Sequence, residues 1–237
     1  MSGKLIAVLI IILIVFWFFL KRNCYLKRIR GLSIKNIDDV QFHTGDIVLT
    51  SRNLVRDFKP LGFFSVNLIG SMLACGSETH SSMVVVVNGI PYTYQVAFES
   101  DYDLIMDAYV DNKPVLTPLK DYMLSYPGEC ILYSYNGPAV DQTKLDNFIE
   151  TNKDLETDAN LLRWMNMTLN LPVKDHPGVI CSELVAAALH EIGLLDFDKP
   201  HLTTPTEIGN VAAKSPLYEK PVLLDNPYMK WEGWNIF

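Results

Sequence analysis

Cysteine is scarce in this chain of 237 residues, and its four copies, Cys24, Cys75, Cys130 and Cys181, are widely scattered. None stands in a Cys-x-x-Cys pair, so neither a disulfide framework nor a zinc site is indicated, and reduced thiols in a cytosolic compartment fit better. With only five histidines, the Cys and His spacings match no metal site, and no cofactor is expected. Internal repeats and low-complexity tracts are also missing. Positive charge is short beyond the first thirty residues: residues 31–237 carry 14 Lys+Arg against 27 Asp+Glu, a balance of −13. So acidic a domain excludes nucleic acid as a natural partner and avoids anionic lipid.

What the first thirty residues hold is different in kind. Leu5 to Leu20 is an unbroken apolar run between Lys4 and Lys21-Arg22. As a helix these residues span roughly 24 Å, a little under the ~30 Å hydrocarbon core, and lysines reaching outward at both ends would close the gap. A signal peptide is the competing reading, but the run is long for one and no Ala-x-Ala-like cleavage site follows. We therefore expect an uncleaved single-pass anchor over residues 1–22. A basic juxtamembrane stem over 23–39 and one domain over 40–237 would follow. Lys21, Arg22, Lys27, Arg28 and Arg30 follow the run while Lys4 alone precedes it, which turns the C-terminal domain toward the cytosol, or a virion interior. Cys24 beside this stem is a candidate for S-acylation.

The remaining 200 or so residues suffice for one well-cored domain. Thr44-Gly45-Asp46 leads into a strand at Ile47–Thr50, and the segment from Phe58 to Cys75 reads as a loop with a short apolar helix. Strands follow at Met83–Val87 and Tyr92–Phe98, joined by Asn88-Gly89, a strong hairpin signal. Another strand is expected from Cys130 to Tyr135. Helical patterns then dominate: Asp141 to about Leu169 with a break, Ile180–Ile192 ended by Gly193, and a helix opened by Thr204-Pro205-Thr206-Glu207. A last strand at Pro221–Leu224 and an aromatic tail (Tyr228, Trp231, Trp234, Phe237) complete an α+β fold, a mainly antiparallel sheet with packed helices.

Two residues carry the chemical interest. Cys181 falls where a proline- and glycine-marked loop turns into a helix, and a helix start lowers a thiol's pKa. Its bland reading is a small buried hydrophobe. His80 stands just before an apolar strand, flanked by Thr79, Ser81 and Ser82, and an imidazole there could take the thiol's proton. His43, His176, His190 and His201 are rivals; His190 lies too far along the same helix, and His176 is the serious competitor. A third polar group should orient the base. In the strand after Asn88-Gly89, Tyr92, Tyr94, Val96 and Phe98 share one face and Thr93, Gln95 and Ala97 the other. Gln95 is thus a candidate, with Glu99 at the strand end as the alternative.

Taken in order, Gly45-Asp46-Ile47-Val48-Leu49, His80, Gln95 and Cys181-Ser182-Glu183-Leu184-Val185 resemble the circularly permuted NlpC-type papain-fold hydrolases. The YiiX-like proteins are nearest in character, with poxvirus members and lecithin:retinol acyltransferase-like enzymes as cousins. The resemblance covers roughly residues 43–215. It implies a papain-like fold with Cys181 as nucleophile, His80 as general base and Gln95 in the third polar position. Many permuted members carry glutamate there, so Gln95 is a departure. The family's chemistry is thiolate attack on an amide, ester or thioester carbonyl. With a cytosol-facing anchor, the implied substrates are lipid-linked molecules or lipidated proteins. The alternative is an idle papain-like fold serving as a membrane-tethered binding module.

Overall fold

The computed structural model describes residues 16, 27, 29–52, 78–96, 101–103, 108–110, 113–125, 128–158, 163, 166–167 and 178–225. Most of the apolar run, Cys24, the 58–75 segment with Cys75, Glu99, His176 and the aromatic tail lie outside them. Among the described residues no helix is long and apolar enough to cross a membrane.

Strand β1 (Ser33–Asn36) leads through a single 3-10 turn to β2 (Ile47–Arg52). Next come β3 (His80–Val87), β4 (Ile90–Val96), the short pair β5 (Asp101–Asp103) and β6 (Ala108–Val110), and β7 (Pro114–Pro118). Helix α1 (Leu119–Ser125) and strand β8 (Gly128–Tyr133) follow. Helices α2 (Gln142–Asn152), α3 (Cys181–Glu191) and α4 (Pro205–Ala212) precede β9 (Val222–Asp225). Seven strands make one sheet in the order β1-β9-β8-β2-β3-β4-β7. Every pairing in it is antiparallel except β1 with β9. The fold is mixed α+β.

Local chemistry accounts for these elements. Asn88 (φ 52°) and Gly89 (φ 79°) both adopt left-handed backbone, the two-residue turn whose twist suits the β3–β4 hairpin. Asp141 caps α2 by accepting from Lys144 N–H, and Thr204 caps α4 by accepting from Glu207 N–H, with Pro205 at the first helical position. Strand β1, by contrast, lies in the segment expected to be stem. All four of its side chains are exposed, and it joins the sheet through backbone pairing with β9 alone.

Alternation along the strands gives the sheet two apolar faces. On one, Ile47, Leu49, Met83, Val85, Tyr92, Tyr94 and Ile131 pack beneath α3, whose Leu184, Val185, Ala188 and Leu189 are all buried. On the other, Val48, Val84, Cys130 and Leu132 pack with Leu119 and Met123 of α1. Cys130 is thereby a core residue on the face away from α3.

Candidate active site

Helix α3 begins at Cys181, after Ile180 in extended backbone (φ −102°, ψ 163°). An isoleucine offers no acceptor, so the cap comes from within the helix: Glu183 Oε2 accepts the Ile180 N–H at 3.1 Å. The Cys181 amide itself sits in the first turn, where no intrahelical carbonyl is available to it.

His80 is the first residue of β3, opposite Thr50 of β2. The β3–β4 ladder runs from Val87↔Ile90 to Met83↔Tyr94. Extending that register by one step sets Gln95 across from Ser82, which shares a face with His80. The Gln95 side chain reaches His80, with Oε1 2.8 Å from Nε2. Accepting there requires Nε2 to carry a hydrogen, which leaves Nδ1 as the ring nitrogen for the sulfur. The Tyr122 ring of α1 lies 6.4 Å from the His80 ring, centroid to centroid, and is tilted against it.

The end of the ladder also supplies a backbone donor. Val84 N–H points toward β2, donating to Asp46 O at 2.8 Å. Amide directions alternate along a strand, so Ser81 N–H points the other way, toward β4, past the last Met83↔Tyr94 pair. The Cys181 sulfur fills that place. Burial, the strongest single influence, pushes its thiol pKa up. The charge of His80, a hydrogen bond with the His80 side chain and the amides of Ser81 and Ser182 together pull it below the ordinary value. Cys181 and Gln95 are each 1 % exposed, while His80 is half-buried. A cysteine that served only as a core hydrophobe would show the burial without the pull.

The three candidates therefore meet, across a hundred positions of sequence. The rivals do not. His190 is exposed near the other end of α3, with Nδ1 3.1 Å from Asp196 Oδ1. His43 is exposed before the start of β2, whose far end pairs with His80, and His201 is exposed in the 3-10 turn Pro200–Leu202.

One cluster behind the thiol was not anticipated. Arg163, 9 % exposed, sends Nη1 to Asp158 Oδ2 (2.7 Å) and to the Gly178 carbonyl (2.9 Å), and Nη2 to Glu183 Oε1 (2.6 Å). Glu183 is pushed up to about 7 by burial, against the pull of the Ile180 amide and Arg163, with a smaller push from the Asp158 charge. In sequence Arg163 is one cation in a polar helical stretch. Nothing there marks it as buried, and only the chance that Glu183 needed a partner could have pointed to it.

Among the described residues no group of three or more His, Cys, Asp or Glu is disposed to hold a metal ion. No protein-family model matches the sequence. No curated protein matches it either. Among solved structures the chain is similar to one described as the crystal structure of metalloprotein yiiX from Escherichia coli O157:H7, DUF1105. The two share 17 % identity at a TM-score of 0.42, over 81 % of this chain and 93 % of that one. At this level the likeness concerns the overall course of the chain and carries nothing about its chemistry.

Proposed function

We propose that this chain is a membrane-tethered thiol hydrolase or acyltransferase of the permuted papain-like type, acting through Cys181, His80 and Gln95. The observation that carries the proposal is geometric: a buried Cys181 at the start of α3 meets the His80 ring, which Gln95 holds at 2.8 Å, and the imidazole and two backbone amides draw the thiol pKa down. Burial alone does the opposite.

The chemistry follows from the placement. His80 Nδ1 takes the Cys181 proton, and the Gln95 carbonyl oxygen, 2.8 Å from Nε2, holds the ring in the tautomer this requires. The thiolate adds to a carbonyl carbon, forming a C–S bond and moving the π electrons onto oxygen. The Cys181 amide, in the first turn of α3, is a donor placed for that oxyanion. Collapse expels the amine, alcohol or thiol, which leaves with the proton held on His80. Water or another acceptor then attacks the thioester, His80 again taking the proton, and the freed thiol returns. The apolar run with its basic flank supports a substrate at a membrane surface, a lipid-linked molecule or a lipidated protein.

Labelling with iodoacetamide near neutral pH, read peptide by peptide, tests the assignment. Cys181 should react faster than Cys24, Cys75 and Cys130 despite its burial, and His80→Ala should slow it. Equal reactivity at all four, or Cys181 slowest of all, would reject the nucleophile.

A further inference from the structure

We propose that Arg163 is a positioning residue for Cys181, fixing through Glu183 and the Gly178 carbonyl where the thiol sits against His80. The proposal rests on the reading of Cys181 as nucleophile.

The start of α3 has no side-chain cap of the usual kind, because Ile180 cannot accept a hydrogen bond. Glu183 substitutes by reaching back to Ile180 N–H, and Glu183 is itself held by Arg163. The same guanidinium grips the Gly178 carbonyl and Asp158. Asp158 N–H in turn donates to Val179 O, and Val179 N–H to Glu156 O, both at 2.9 Å. Gly178 is thus tied to the buried cation directly, Ile180 through Glu183, and Val179 to the strand-like segment beside it. The fit is close: a Cβ on Gly178 would lie 2.9 Å from Asp158 Cβ and 3.0 Å from its backbone nitrogen.

Three bonds in three directions suit a planar guanidinium and not an ammonium. The His80 charge draws the thiol down most and weakens gradually with distance, but the hydrogen bonds with the His80 side chain and with the Ser81 and Ser182 amides are short-range, and a small displacement breaks them. Holding the loop therefore holds the thiolate.

Charge and position make opposite forecasts, which makes the idea testable. Arg163→Lys keeps the buried cation, so neither carboxylate is left unpaired. A pure charge effect would leave Cys181 as it is. Glu183→Gln is isosteric and removes the negative charge that Glu183, two residues from Cys181, carries above its raised pKa of about 7, so a pure charge effect could only lower the thiol pKa. Loss of position raises it in both. The measurement is the pH dependence of Cys181 alkylation by iodoacetamide in the full-length chain, with circular dichroism to verify folding. We expect the inflection to rise by about one pH unit in each variant, roughly tenfold less thiolate below it. An unchanged inflection in folded Arg163→Lys, or a lowered one in Glu183→Gln, would overturn the positioning role while leaving the nucleophile intact. An ordinary thiol inflection in the wild type, insensitive to His80→Ala, would instead overturn the nucleophile.

Discussion

A neutral amide facing an imidazole is the least expected choice in this site, and its consequence is set by one contact. Gln95 Oε1 lies 2.8 Å from His80 Nε2. As an acceptor it fixes the ring's tautomer and tilt, but an amide stabilises the imidazolium less than a carboxylate would. Gln95→Ala should leave the ring free to turn and reduce turnover of an ester or amide substrate by up to about a hundredfold, the scale of a small misplacement. Gln95→Glu should keep the contact, strengthen the thiolate–imidazolium pair and move the alkaline limb of the pH–rate profile upward. Should that limb stay put or fall, Gln95 would be a bystander to the proton transfer. Burial is what makes the amide matter: at 1 % exposure, water does not replace the acceptor.

Asp46 shows an acidic side chain acting on elements rather than on a substrate. It is fully buried where β2 begins, with Oδ2 2.9 Å from His43 N and Oδ1 2.6 Å from Tyr135 N, just past β8. Its own carbonyl accepts from Val84 of β3, and the adjacent Gly45 carbonyl accepts from Tyr218 O–H at 3.0 Å. The Gly45-Asp46 pair thus joins β2, β3, the exit of β8 and the approach to β9. Burial raises Asp46 from 3.8 to about 6, against the pull of the His43 and Tyr135 amides and the His43 charge. A carboxyl raised on folding favours the fold in acid, and that contribution fades as pH climbs from 3.8 through about 6. Urea unfolding of wild type and Asp46→Asn across this window should therefore show the wild-type advantage shrinking, by on the order of 2–3 kcal/mol. A wild-type advantage that grew with pH would reverse the assignment. The elements that meet at Asp46 differ in how openly the sequence announces them. The β3–β4 hairpin is legible because Asn88-Gly89 demands one turn type, and α3 because its apolar stripe ends at Gly193. Strand β1 has no buried side chain and so no alternation to read. Strand β7, Pro114–Pro118, is bounded by prolines that suit the sheet's last position, where one edge needs no donors, yet proline reads as a breaker. The pairing of His80 with Gln95 follows from hairpin register and was within reach. The Arg163 cluster depends on a long-range approach between residue 163 and residues 178–183, which local pattern does not encode.

At the scale of the whole chain, charge separates two parts. Six Lys+Arg and no Asp or Glu occupy residues 1–30, while the remainder has a balance of −13. The acidic part is repelled by an anionic leaflet, so basic attraction alone would hold the chain weakly and only at low salt. An apolar run of sixteen residues buried in lipid would be a different kind of attachment, insensitive to screening. The two predict separate outcomes when membranes carrying the full-length chain are washed. We expect the protein to stay with the bilayer through molar salt and alkaline carbonate, and to need detergent for release. Release by salt would reduce the attachment to surface charge, and the case for a lipid-linked substrate would lose its support. A chain that resists both washes should also leave its C-terminal domain open to added protease on the cytosolic side only, because five cations follow the run and one precedes it. In that arrangement the acidic domain stands off the lipid on a basic stem, and a substrate that reaches Cys181 must extend its reactive carbonyl out of the membrane plane.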